Sequence, residues 1–157
     1  MISLQPEEDK KLRQLLTKIN EESKAKITLL IDKSGQLISR SESPAFSSDD
    51  ITFASLTAGN VAASEALSKL LGDENINHMF TETESEGIYM VLINNSYILV
   101  SIFNKAISNL GIVRLKFRKY YNELTNLLKE IERRVKEEKS VAENIDIEDI
   151  DLDTLFE

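Results

Sequence analysis

His78 is the single imidazole in this chain, and chemistry built on it would be acid–base or nucleophilic catalysis with a serine and an aspartate. A triad of that kind can be composed from almost any chain with one histidine. No carboxylate motif surrounds His78, so it reads as a structural or surface residue at the start of a strand. Asp146, Asp149, Asp151 and Asp153 invite a calcium reading. A calcium loop needs alternating oxygen ligands, a central glycine and a bidentate glutamate. Here isoleucine and leucine interrupt the run and glycine is absent. The five glycines (Gly35, Gly59, Gly72, Gly87 and Gly111) form no G-x-x-x-x-G-K phosphate cradle, so the chain is not expected to hold a nucleotide itself. With no cysteine, thiol nucleophiles, disulfides and thiolate metal sites are excluded. The expectation is a protein that is not an enzyme, with no catalytic, cofactor-binding or metal residues.

If the chain does no chemistry, its surface must do the work. It has 157 residues, one typical domain length and enough to bury a core. Its 19 basic and 27 acidic residues leave a net charge of -8, which disfavours nucleic acid and anionic lipid as partners. The clearest local basic stretch is Arg114 to Arg134. No apolar run approaches the ~18 residues of a membrane span. The opening MISLQPEEDKK turns acidic at once and lacks a signal-peptide pattern, so a cytoplasmic location is expected.

The elements follow from periodicity. Leu12, Leu15, Leu16 and Ile19 predict a helix over Pro6 to Ser23, with Pro6 in its first turn and Glu7, Glu8 and Asp9 at its positive end. Ile27 to Asp32 and Gln36 to Ser39 read as strands around a Lys33-Ser34-Gly35 turn. Ser47 and Asp50 resemble a capping box opening a helix over Ser48 to Leu71, which Gly72 ends. Strands are expected at His78 to Thr83, Ile88 to Ile93 and Tyr97 to Phe103, with Asn94-Asn95 a tight turn between the last two. The last two are nearly continuous apolar runs, as in strands covered on both faces. A long helix then starts near Leu110. Its stripe is Leu110, Val113, Phe117, Tyr120, Tyr121, Leu124, Leu127, Leu128, Ile131 and Val135. This order predicts an α/β (α+β) three-layer sandwich with a five-stranded, mostly antiparallel sheet in order 2-1-5-4-3. The first and last helices cover one face and the middle helix the other. Residues 1–139 form the domain. Residues 140–157, SVAENIDIEDIDLDTLFE, form an acidic amphipathic tail expected to stay flexible until a partner binds.

The middle helix is apolar on two sides. On a helical wheel Phe53, Leu56, Ala63, Leu67, Leu70 and Leu71 share the side expected to face the core, and Asn60 lies among them. Ala54, Ala58, Ala62 and Ala66 repeat every four residues on the opposite side, flanked by Val61, Glu65 and Lys69. A smooth alanine back lets another backbone come close, which suggests a protein-docking surface.

The strings LLIDKSGQLIS, ASLTAGNVAASEALSKLLG, IYMVLINNSYILVSIF and LGIVRLKF resemble the roadblock family, over about Ile27 to Ile131. The resemblance is to a bacterial branch that regulates a Ras-like small GTPase, and the tail ending IDIEDIDLDTLFE fits it too. It implies a homodimer whose sheets join edge to edge, with the alanine helices side by side. It implies that the GTP-bound GTPase docks on that helix face and hydrolyses GTP faster, and that the tail contacts the GTPase and promotes exchange. Cell polarity and motility are the implied setting, with a polar position in the cytoplasm. The implied interface is Ala54, Ala58, Val61, Ala62, Glu65, Ala66 and Lys69, with tail contacts from Ile150, Leu152, Leu155 and Phe156. Arg114 invites an arginine-finger reading. The expected topology puts it on the sheet face away from the alanines, and a salt-bridged or exposed arginine is favoured instead. The alternative function is a roadblock scaffold that tethers proteins and stimulates nothing.

Overall fold

The computed structural model describes residues 3–43, 49–72 and 77–155, with side chains described as far as residue 145. Helix α1 (Pro6–Ser23) begins where the Gln5 backbone N–H donates to Glu8 Oε1 at 3.0 Å, and it ends at Lys24 with a left-handed φ of 55°. Strands β1 (Ile27–Asp32) and β2 (Leu37–Arg40) form the expected hairpin, with β2 one residue later than its pattern suggested. The Asp32 carboxylate organises the turn, accepting from the Ser34 and Gln36 backbone N–H groups at 3.0 Å each.

Helix α2 (Asp50–Leu70) is capped by Asp49, not by Ser47, which lies outside the described residues. The Asp49 carboxylate accepts from the Thr52 backbone N–H at 3.2 Å and from its hydroxyl at 2.6 Å, and these bonds hold its pKa below the ordinary value. Gly72 follows the helix at φ 88°, the left-handed position that glycine takes without strain. Strands β3 (His78–Glu82), β4 (Glu86–Ile93) and β5 (Tyr97–Asn104) follow. Asn94 and Asn95 both have positive φ, 52° and 56°, as a primed hairpin turn demands.

The sheet order is β2-β1-β5-β4-β3 and every pairing is antiparallel, as the sequence predicted. β5 is central and buried along nearly its whole length. Alternation splits it between two cores. Tyr97, Leu99 and Phe103 meet α1 and the last helix, whereas Ile98, Val100 and Ile102 meet α2. The last helix, α3 (Leu110–Leu155), has 46 residues and is roughly 70 Å long. It is continuous across residue 139, where the sequence pattern suggested a domain boundary. Its expected stripe is largely buried against α1 and the sheet, although Tyr121 is partly exposed. Arg134 ties the two helices together, donating to the Glu8 carboxylate at 2.7 and 2.8 Å. Beyond that tie, Val141 and Ile145 are exposed.

Candidate functional site

The orientation of α2 decides what this protein can present. The alanines at the start of the expected docking stripe point inward. Ala54, Ala58 and Val61 are buried, with Thr57, against Ile27, Leu29, Ile31, Met90, Ile98, Val100 and Ile102. This corrects the expectation that these three form part of an exposed interface. The physical reason is room. The sheet face is already filled with large aliphatic side chains, so the helix above it must be smooth to come close. Its approach to the first hairpin is closer still. A Cβ at Gly35 would lie 3.1 Å from the Ser55 Cα and 3.5 Å from the Ala58 Cβ. The backbone that nears the alanine face is thus this chain's own turn, where Gly35 has φ 94°.

Two ion pairs fix the roll of the helix. Lys33 in the β1–β2 turn meets Glu65 at 2.9 Å and also donates to Asn95 Oδ1 at 3.2 Å. Arg40 at the end of β2 pairs with Asp50 at the start of α2. Glu65 is therefore an anchor of the helix rather than a free rim residue. Ala62, Ala66 and Lys69 remain exposed as expected.

Of the large residues expected in the core, Phe53 packs against it, but the leucines are on the outside. Leu56, Leu67, Leu70 and Leu71 are 62–84% exposed, and Ile51 is exposed with them. Ala63 and Asn60 share that outer surface, so Asn60 is not a buried amide needing a partner. Four solvent-facing leucines on one helix make a surface that marks a protein contact. A wheel shows that two apolar faces exist but not which one the sheet accepts. The usable signal was the glycine turn before the helix, which admits only a smooth neighbour.

The residues considered for chemistry lie elsewhere. His78 is exposed on β3, its ring 6.0 Å from that of Tyr89, with no ion pair to a carboxylate among the described residues. Arg114 is on α3, on the sheet face opposite α2, beside Tyr89. Burial pushes the Tyr89 phenol above its ordinary pKa while Arg114 pulls it down. Arg114 is therefore not on the leucine surface. No cluster among the described residues could hold a metal ion. The side chains of Asp146, Asp149, Asp151, Asp153, Ile150, Leu152 and Leu155, and all of Phe156, lie outside the described residues. No described helix is long and apolar enough to cross a membrane.

Residues 11–103 match the Roadblock/LC7 domain family. No curated protein sequence matches the chain. Among solved structures the chain is similar to Myxococcus xanthus MglB, with 36% identity over 76% of this chain and 96% of that one, at a TM-score of 0.71. A gliding protein MglB from Thermus thermophilus shows 27% identity over 82% of this chain and 96% of that one, at a TM-score of 0.74. An MglB described as having a tetrameric arrangement shows 26% identity over 83% and 96%, at a TM-score of 0.75.

Proposed function

The chain belongs to the Roadblock/LC7 family, and from that premise we propose that it is a homodimeric regulator that binds the GTP-bound Ras-like GTPase MglA and stimulates its GTP hydrolysis. The observation that carries this reading is the outward leucine surface of α2, on a chain similar to MglB over most of its length. Leucines left in water on a folded domain call for a protein partner. We assign their inner part to the second copy of the chain. In that pairing α2 lies beside its counterpart, and the open edge of β3 lies beside the β3 of the other copy. A free strand edge is itself a pairing surface. The similarity to an MglB in a tetrameric arrangement supports self-association.

MglA then sits across the paired helices, contacting Ala62, Ala66 and Lys69 beside the leucines. Ala54, Ala58 and Val61 support this surface from beneath. The activator supplies no catalytic residue of its own. Arg114 lies on the other side of the sheet, so the GTPase must reposition its own groups. The tail, with Ile150, Leu152, Leu155 and Phe156, contacts MglA and promotes exchange. The cellular role is cytoplasmic control of polarity and motility.

The test is GTP turnover by purified MglA from the same organism, with and without this protein. The expected result is a rate that rises with added protein and falls back with Ala62→Arg, while the dimer persists. Binding without stimulation would assign the scaffold role instead, and unchanged stimulation by Ala62→Arg would remove this docking face.

A further inference from the structure

On the sheet face opposite α2, a depression lies between the first turns of α3 and strands β3, β4 and β5, above side chains no more than 5% exposed. It is an open groove of about 400 Å³. Tyr89, Leu99 and Phe117 give it an apolar, aromatic floor, and Arg114 and Arg118 stand on its wall. The two arginines are one helical turn apart and share a face, where like charges repel by a few tenths of a kcal/mol. Neither is in an ion pair among the described residues, in a chain where acidic residues outnumber basic ones by 27 to 19. Their neighbours on the same helix are neutralised. Lys116 and Lys119 meet Glu22 at 3.5 and 2.7 Å, and Arg134 meets Glu8. On the far flank of the arginine pair, Leu115 is 61% exposed and, with Gly111, lines a second shallow depression. The surface therefore offers two unneutralised guanidiniums with apolar ground on both sides. That chemistry fits a strand or helix that alternates carboxylates with large apolar side chains.

The chain carries such a segment. Residues 140–157 hold seven acidic residues, no basic one, and Ile145, Ile147, Ile150, Leu152, Leu155 and Phe156. We propose that the groove beside Arg114 and Arg118 binds this acidic C-terminal segment of a second copy of the chain. The carboxylates face the arginines and an apolar side chain seats on the aromatic floor. The segment cannot come from the same copy. Between Arg118 and Asp146 the helix is unbroken and about 40 Å long, so it carries its own tail away from its own groove. The groove lies on the opposite face of the sheet from the α2 surface, so this contact does not depend on GTPase docking there, but it competes with MglA for the same acidic segment.

The test uses the full chain and a fluorescein-labelled peptide of residues 140–157, read by fluorescence anisotropy at low protein concentration so that the chains' own segments compete little. Saturable binding that weakens with added salt is expected. Arg118→Glu is the main variant because Arg118 is exposed and its loss leaves the fold intact, which circular dichroism checks. It should weaken binding by about tenfold or more, and the double variant with Arg114→Glu should weaken it further. Arg133→Glu, an exposed site farther along α3, should match wild type. A peptide with Asp146, Asp149, Asp151 and Asp153 all changed to Asn should not bind. Equal binding by wild type and Arg118→Glu overturns the proposal. So does absence of peptide binding, including the case in which a DNA oligonucleotide binds the groove instead.

Discussion

Replacing Ala54 with leucine tests the orientation of α2, on which the proposed docking surface depends. Ala54 is fully buried, and its carbonyl lies 3.7 Å from the position of a Gly35 Cβ. Ala54→Leu adds three carbons where sheet and hairpin already fill the space. Overpacking of that kind costs typically about 1–3 kcal/mol. For a chain of this length each kcal/mol lowers Tm by roughly 2–4 °C, so a fall of about 2–12 °C is expected. The mirror substitution is Leu67→Ala. A buried leucine cut to alanine costs about 2–5 kcal/mol. Leu67 is 62% exposed, so the single domain should lose less than about 1 kcal/mol. The rest of its effect should appear as weaker self-association, and so depend on protein concentration. Thermal melts followed by circular dichroism at several concentrations, with sedimentation velocity on the same samples, separate the two effects. The reasoning is refuted if Ala54→Leu melts within about 1 °C of wild type while Leu67→Ala loses more than about 2 kcal/mol at every concentration. That outcome would place the leucines inward.

Three further outcomes are expected. Gly35→Ala should lower stability by about 2 kcal/mol, because a left-handed φ costs ~1 kcal/mol and its Cβ meets the α2 backbone at 3.1 Å; a urea titration with no shift in midpoint would contradict the close approach. Arg134 holds the Glu8 carboxyl below its ordinary pKa, chiefly by its hydrogen bonds, so this pair stabilises the fold above the ordinary carboxylate range and the contribution is lost as pH falls from there through the lowered pKa of Glu8. Arg134→Ala should therefore destabilise at pH 7 and narrow the drop in Tm between about pH 5 and pH 3, and parallel Tm profiles for the two proteins would count against the pairing. Deleting residues 140–157 should leave Tm within about 2 °C of the full chain, because Val141 and Ile145 are exposed and the last described side-chain ties to α1 are at Arg134 and Glu138; a larger fall would mean the segment packs against the domain.

Local signals carried most of the architecture. The β-rich run of β1, the nearly continuous apolar run of β5, the Asn94-Asn95 turn and the leucine period of α1 each specify an element from neighbours in sequence, and the sheet order followed from their succession. The helix ends were less legible. Asp49 accepts from Thr52 and so caps α2, and nothing in the backbone stops α3 at residue 139. The absence of a nucleotide cradle and of cysteine chemistry was also plain from residue types alone.

The chain by itself determined that α2 has a smooth alanine side and a leucine side, and that the leucines exceed what a solvent-facing helix needs. Which side faces the sheet was decided only by tertiary structure. A periodic pattern records the angle between residues, not the size of the space each will meet. Here that space is set by distant residues: the aliphatic side chains of β1, β4 and β5, Gly35 in the hairpin turn, and Lys33 holding Glu65. Along most of the helix these leave room only for small side chains (alanine, threonine, valine), so the leucines turn outward. The arginine pair of α3 follows the same logic. Its spacing was legible, but its isolation from carboxylates and its place above an aromatic floor exist only once helix and sheet come together.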